Sequence, residues 1–132
     1  MKEIDQKPND KPGDKDIIEL KELIKSNQSA SAEIKAKKLI NQYPKSLDAL
    51  NLLGVSLIAQ NKLDDSEKIY LKLLEIKPDF AEGHYMLGYV YLEKLSETEK
   101  AINHFNKAEK LYIKLENFDH LEKVRALLSK ER

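Results

Sequence analysis

The chain has 132 residues, enough for one domain with a real core and too few for two independent ones. Hydrophobic residues make up 41% and charged residues 35%, with only four glycines and four prolines, a balance that favours helices over strand-rich or disordered chains. Lys plus Arg and Asp plus Glu number 23 each, so no whole-chain field draws in nucleic acid or an anionic membrane, and the lack of cysteine excludes disulfides, thiolate metal sites and a cysteine nucleophile.

No stretch approaches the roughly 20 apolar residues of a membrane-spanning helix. Residues 1–10 alternate charge with polar groups and lack the apolar run of a secretory signal. A soluble, cytoplasmic protein is the expectation, and the sequon Asn27-Gln28-Ser29 reads as chance.

Residues 1–15 carry Pro8, Pro12, Gly13 and many charges, with Ile4 as the one large apolar residue, and read as a flexible leader. From Asp16, apolar residues recur at helical spacing through Ile17, Ile18, Leu20, Leu23 and Ile24, then break at Ser26-Asn27-Gln28-Ser29. A second helix is predicted from about Ser31 to Tyr43, where Pro44 stops it. Ser46 can cap a third, bearing Leu50, Leu53 and Leu57, which Asn61-Lys62 breaks. Asp64 is predicted to cap a fourth, bearing Ile69, Tyr70, Leu73 and Leu74 and ended by Pro78. Asp79 begins a fifth, with a break around Ser96, and a sixth carries Ala101, Phe105, Ala108 and Leu111 to about Glu116. Asn117 separates a last helix whose Leu121, Val124 and Leu128 share one side.

The units repeat. Pro44 to Pro78, Leu53 to Leu87, Gly54 to Gly88 and Leu57 to Tyr91 are each 34 positions apart. Leu50-x-x-Leu53-Gly54-x-x-Leu57, Ser66-x-x-x-Tyr70 and Pro78 follow one another in order. His84-x-x-Leu87-Gly88-x-x-Tyr91 and Ala101-x-x-x-Phe105 follow them again. This pattern resembles the tetratricopeptide repeat. Gly54 and Gly88 would let a neighbouring helix approach closely, Ser66 and Ala101 are small for the same reason, and Tyr70 and Phe105 would fill the space between hairpins. The family's Trp is replaced by Leu50 and His84. One extra residue falls around Leu95 to Thr98, placed in the inter-helix turn, because Ser66 to Ala101 spans 35 positions.

The resemblance implies an all-α fold, a right-handed α-solenoid of about three antiparallel helix pairs closed by a capping helix. Its parts would be a degenerate repeat over 16–46, a repeat over 47–80, a second with the insertion over 81–116, and the cap over 117–132.

In this family a stripe on each first helix lines a concave peptide-binding groove. Carried over, it assigns Asn51, Val55, Ile58, Tyr85, Tyr89 and Leu92 to the groove, with Ile17, Lys21 and Ile24 from the degenerate unit. The competing reading is that these residues simply pack on adjacent helices. The two tyrosines, one turn apart, offer broad apolar faces with polar tips. Where some relatives trap an acidic C-terminus with Lys, Arg and Asn, this chain has mainly Ile17, Lys21, Leu52, Glu82 and Met86, so an apolar or amphipathic segment is the expected ligand.

His84, His104 and His120 are the only candidates for metal or acid–base work near neutral pH, and they fall on three different predicted helices without ligand spacing. There is no phosphate loop, nucleophile elbow or paired-carboxylate motif. The sequence therefore implies no enzyme, no catalytic or metal site and no cofactor, but a scaffold for a protein or peptide partner. The alternatives are a homodimerising structural protein, through the tyrosine stripe or the terminal helix, and an accessory subunit of a larger enzyme or secretion assembly.

Overall fold

Apolar residues at spacings of three and four resolve into helices. The structure, a computed structural model, describes residues 11–131. Its regular elements among those residues are α1 (Asp14–Lys25), α2 (Ser29–Gln42), α3 (Leu47–Ala59), α4 (Leu63–Ile76), α5 (Ala81–Glu93), α6 (Thr98–Leu115) and α7 (Phe118–Glu131). Most of the predicted leader lies outside the described residues. α1 begins at Asp14, two residues before Asp16.

The turns carry the repeat as clearly as the helices do. Asn27, Asn61 and Leu95, each 34 positions from the next, all have left-handed backbone, with φ of 62°, 60° and 65°. Asparagine tolerates this conformation because its short side chain bonds locally. After each asparagine the chain closes with the same bond, from Gln28 N to Leu23 O at 2.8 Å and from Lys62 N to Leu57 O at 2.8 Å. These six-residue closures satisfy carbonyls that the helix end leaves open. The third turn differs: residues 94–97 form a connection one residue longer, in which Ser96 N reaches Lys94 O at 2.6 Å. The extra residue thus follows Leu95, in the inter-helix turn.

Several helix starts depart from expectation. α2 opens at Ser29 rather than Ser31, and α4 opens at Leu63, so Asp64 is inside the first turn instead of capping it. α5 starts after Phe80, with no side-chain cap, and Asp79 lies outside the helix. A carboxylate favours a helix N-terminus over the whole first turn, so it marks the region without fixing the first residue. Ser46 does cap α3, its hydroxyl accepting from Ala49 N at 3.1 Å.

The chain divides into two compact units, one ending at Ile69 and one starting at Tyr70, so the boundary falls within α4. In the first, α1 packs on α2 and α3, and α2 on α3. Leu20, Ala32, Ala36, Leu39, Leu53 and Leu57 form its core. Ser66 Oγ donates to Gly54 O at 3.0 Å, tying the start of α4 to mid-α3. Glu33 on α2 accepts from Lys37, Gln60 and Lys62 at 2.7, 2.9 and 3.0 Å. Those donors, Lys37 first, hold its carboxyl at about 2. In the second unit α5 packs on α6 and α6 on α7, around buried Leu87, Val90, Phe105, Ala108, Val124 and Leu128.

Candidate functional site

α5 and α6 pack directly on each other in the second unit, and Gly88 makes room for that contact. A Cβ there would sit 2.7 Å from Phe105 Cε1 and 3.2 Å from the Ala101 carbonyl oxygen. Phe105 and Ala101 are themselves fully buried. Gly88, Ala101 and Phe105 of the second signature therefore meet at one point, which fixes the register of α5 against α6.

The six groove positions fall on two helices. Asn51, Val55 and Ile58 lie along one face of α3, at intervals of four and three, and each is half-buried. Tyr85, Tyr89 and Leu92 lie at the same intervals on α5 and are also half-buried. The α5 stripe is partly engaged within its own unit. The Tyr85 ring tilts against Phe105 at 6.3 Å between centroids and meets the His120 ring edge-on at 6.5 Å. Burial, then the neighbouring Tyr89 and Glu82, pushes the Tyr85 phenol up. Burial, then Glu93, does the same for Tyr89. Ile17 and Ile24 pack against the first core, while Lys21 is exposed.

Sequence reading kept the histidines apart, yet two of them meet. His84 Nδ1 and His104 Nδ1 are 3.0 Å apart, and His84 Nε2 lies 2.7 Å from the Pro78 carbonyl oxygen. A carbonyl only accepts, so His84 carries its proton on Nε2 and presents a bare Nδ1, to which His104 Nδ1–H donates. The ring centroids are 5.3 Å apart, about the bond length plus two ring radii, so the imidazoles meet edge to edge. Burial, ahead of repulsion from His84 and Lys107, lowers His104 to about 4. Burial also lowers His84, with the Pro78 bond acting against it. Neutral and mutually bonded, the pair seals the hairpin. Among the described residues no group of three or more His, Asp or Glu side chains is placed to hold a metal ion.

A second feature escaped the sequence. A cavity of about 460 Å³ opens between the α4–α5 turn, the end of α6 and the start of α7. Phe80, Glu82, Tyr112, Lys114, Asn117 and His120 are among its walls. Asn117 shapes it: its Oδ1 accepts from His120 N at 3.3 Å, capping α7, and from His120 Nδ1 at 3.1 Å. Tyr112 is 3% exposed, and among the described residues its hydroxyl has no hydrogen-bond partner. Burial, then the Glu82 and Tyr85 charges, raises that phenol far above its ordinary value. The only sequence signal for this cavity was the break at Glu116-Asn117, where Glu116 adopts left-handed backbone.

Family comparison agrees with the repeat. A tetratricopeptide-repeat model described as TPR repeat matches residues 54–94, and a second, described as tetratricopeptide repeat, matches residues 81–112. No curated protein matches the sequence. The fold is similar to that of the TPR2AB domain of yeast Sti1, solved in complex with pHSP90, with a TM-score of 0.79 at 14% identity, covering 90% of this chain and 47% of that one. It is also similar to MamA, with a TM-score of 0.65 at 17% identity, covering 88% of this chain and 74% of that one. The chain therefore spans about half the length of the Sti1 structure it matches. Both repeat models fall on the segment where the 34-residue period is strongest, so this chain carries tetratricopeptide repeats over residues 54–112, within an all-helical fold similar to that of these two proteins.

Proposed function

We propose that this domain is a non-catalytic adaptor that binds an apolar or amphipathic segment of a partner protein along the stripes of α3 and α5. The observation that carries the reading is the α5 stripe. Tyr85, Tyr89 and Leu92 follow one another at helical spacing and stay half-buried, while the opposite face, Leu87, Val90 and Tyr91, is buried. Residues that present apolar faces with polar tips and are not consumed by the core suit a partner surface. Helical repeats offer extended faces for this purpose. The likeness to a domain solved with pHSP90 supports a peptide or protein ligand as the class, and the apolar stripe favours an apolar or amphipathic segment.

The test is affinity capture from native extract with the wild-type domain and a Tyr85→Ala/Tyr89→Ala variant shown by circular dichroism to fold. Proteins held by the wild type alone support the stripe. Equal capture by both forms refutes it.

A second reading has its own observation. Ile113, Leu115 and Phe118, 48%, 64% and 62% exposed, cluster in sequence about the α6–α7 turn and would suit self-association. A mass that rises with concentration, and returns to the monomer on Phe118→Ser, would favour it over the adaptor.

A further inference from the structure

The cavity at the α4–α5 turn is lined unevenly. Of its two lysines, Lys77 is paired with Asp79 at 3.1 Å, while Lys114 is exposed. Glu82, half-buried on the first turn of α5, makes no ion pair among the described residues. Beside it are the aromatic side chains of Phe80, Tyr112 and His120. The His120 and Tyr112 rings are 5.2 Å apart between centroids. The Asn117 oxygen accepts from His120 Nδ1–H, and in that tautomer Nε2 is the acceptor. Tyr112 Oη is buried with no partner. Apart from the exposed Lys114 ammonium and the Asn117 amide nitrogen, the polar groups not already engaged are a carboxylate, a ring nitrogen and a phenol oxygen, all able to accept, between aromatic faces.

A group made of donors on a flat cationic frame matches that set. We infer that the cavity is a side-chain subsite for an arginine of a bound segment, its guanidinium resting on the aromatic rings and bridging the Glu82 carboxylate and Tyr112 Oη. A guanidinium has five N–H donors and no acceptor, stacks on aromatic faces, and forms its strongest bonds to carboxylates. Lysine would gain the charge but not the planar contact. This rests on the reading of the domain as a peptide-binding scaffold and gives the partner segment a definite chemistry: apolar residues for the stripes and a basic residue for the cavity.

The experiment titrates N-acetyl-arginine amide into the ¹⁵N-labelled full chain, with N-acetyl-glutamate amide as the opposite charge and two variants as controls. Glu82→Gln removes the charge at nearly constant shape. Tyr112→Phe removes only the orphan hydroxyl and keeps the ring. The arginine probe is expected to shift the amides of Glu82, Tyr112 and His120 at millimolar concentrations, with binding roughly tenfold weaker in Glu82→Gln, the scale of one charge-assisted hydrogen bond, and measurably weaker in Tyr112→Phe. Equal shifts from the glutamate probe, unchanged binding in Glu82→Gln, or no shifts at these residues would overturn the assignment. No partner protein enters this measurement, so its failure leaves the stripe to the capture experiment, and failure of the capture leaves the arginine shifts standing.

Discussion

Acidification should loosen the α5–α6 hairpin before it touches any carboxylate pair. Both histidines have folded-state values below the ordinary 6.5, and His104 is brought to about 4 by burial first and by its charged neighbours second. A depressed value means that the unfolded chain takes up the proton more readily. The stability from the neutral pair is fully present above about pH 6.5 and is lost as pH falls towards 4. One unit corresponds to about 1.4 kcal/mol, so His104 alone would give about 2 kcal/mol between pH 7.5 and pH 5. Its partial exposure reduces the expected loss to about 1–2 kcal/mol. The cause is concrete. His84 Nε2–H is committed to Pro78 O, so a proton added to His84 must go on Nδ1, where it faces His104 Nδ1–H and breaks the 3.0 Å bond.

The assay is urea unfolding followed by circular dichroism at several pH values from 7.5 to 5. Glu33, held at about 2, stays ionised throughout and does not contribute in this window. His104→Phe keeps a ring in the hairpin but removes the donor, leaving His84 Nδ1 unpaired. It should be less stable by about 1 kcal/mol at pH 7.5, and its pH slope should fall to the share contributed by His84. A wild type equally stable at both ends of the range, or a variant with the full wild-type slope, would refute the reasoning.

Other substitutions test the packing that brings these rings together. Gly88→Ala forces a methyl onto the Phe105 ring and the Ala101 carbonyl and should cost about 2 kcal/mol in urea unfolding. Gly83→Ala is the control: its new Cβ meets Leu74 and Leu73 side-chain ends at 2.9 and 3.0 Å, which can yield, and the gain in helix propensity of about 1 kcal/mol should bring the net change near zero. Leu95, 83% exposed with φ of 65°, occupies the place of Asn27 and Asn61, so Leu95→Gly should raise stability by about 1 kcal/mol, seen as a higher melting temperature.

What could be read from the sequence was what is local. Helical spacing, the stops at Pro44 and Pro78 and the Ser46 cap depend on residues within a turn or two of each other, the 34-residue period is the recurrence of those local signals, and together they placed the helices to within two residues at their starts. The small offsets at Asp64 and Asp79 arise because a carboxylate near a helix N-terminus gains similar energy at several positions. The stripe on α5 was found as a face, since periodicity reveals which residues share a side.

Pairing between helices is another matter, because it depends on register. His84 and His104 are 20 positions apart, and what brings them head to head is the depth to which Phe105 settles against the missing Cβ of Gly88. The cavity needs three stretches of chain at once, and its least expected member, the unpartnered Tyr112 hydroxyl, looks in sequence like one more apolar position on α6. The repeat rules therefore account for a backbone that many sequences can share. On the function proposed above, the chemistry that would distinguish one partner from another lies at positions the repeat leaves open: Glu82 at the head of α5, the Tyr85 and Tyr89 rings one and two turns along, and the acceptors where α6 gives way to α7. A segment that matched the stripe but lacked a donor for Glu82 would gain apolar contact while desolvating a carboxylate, a cost that sorts partners even when their buried areas are equal.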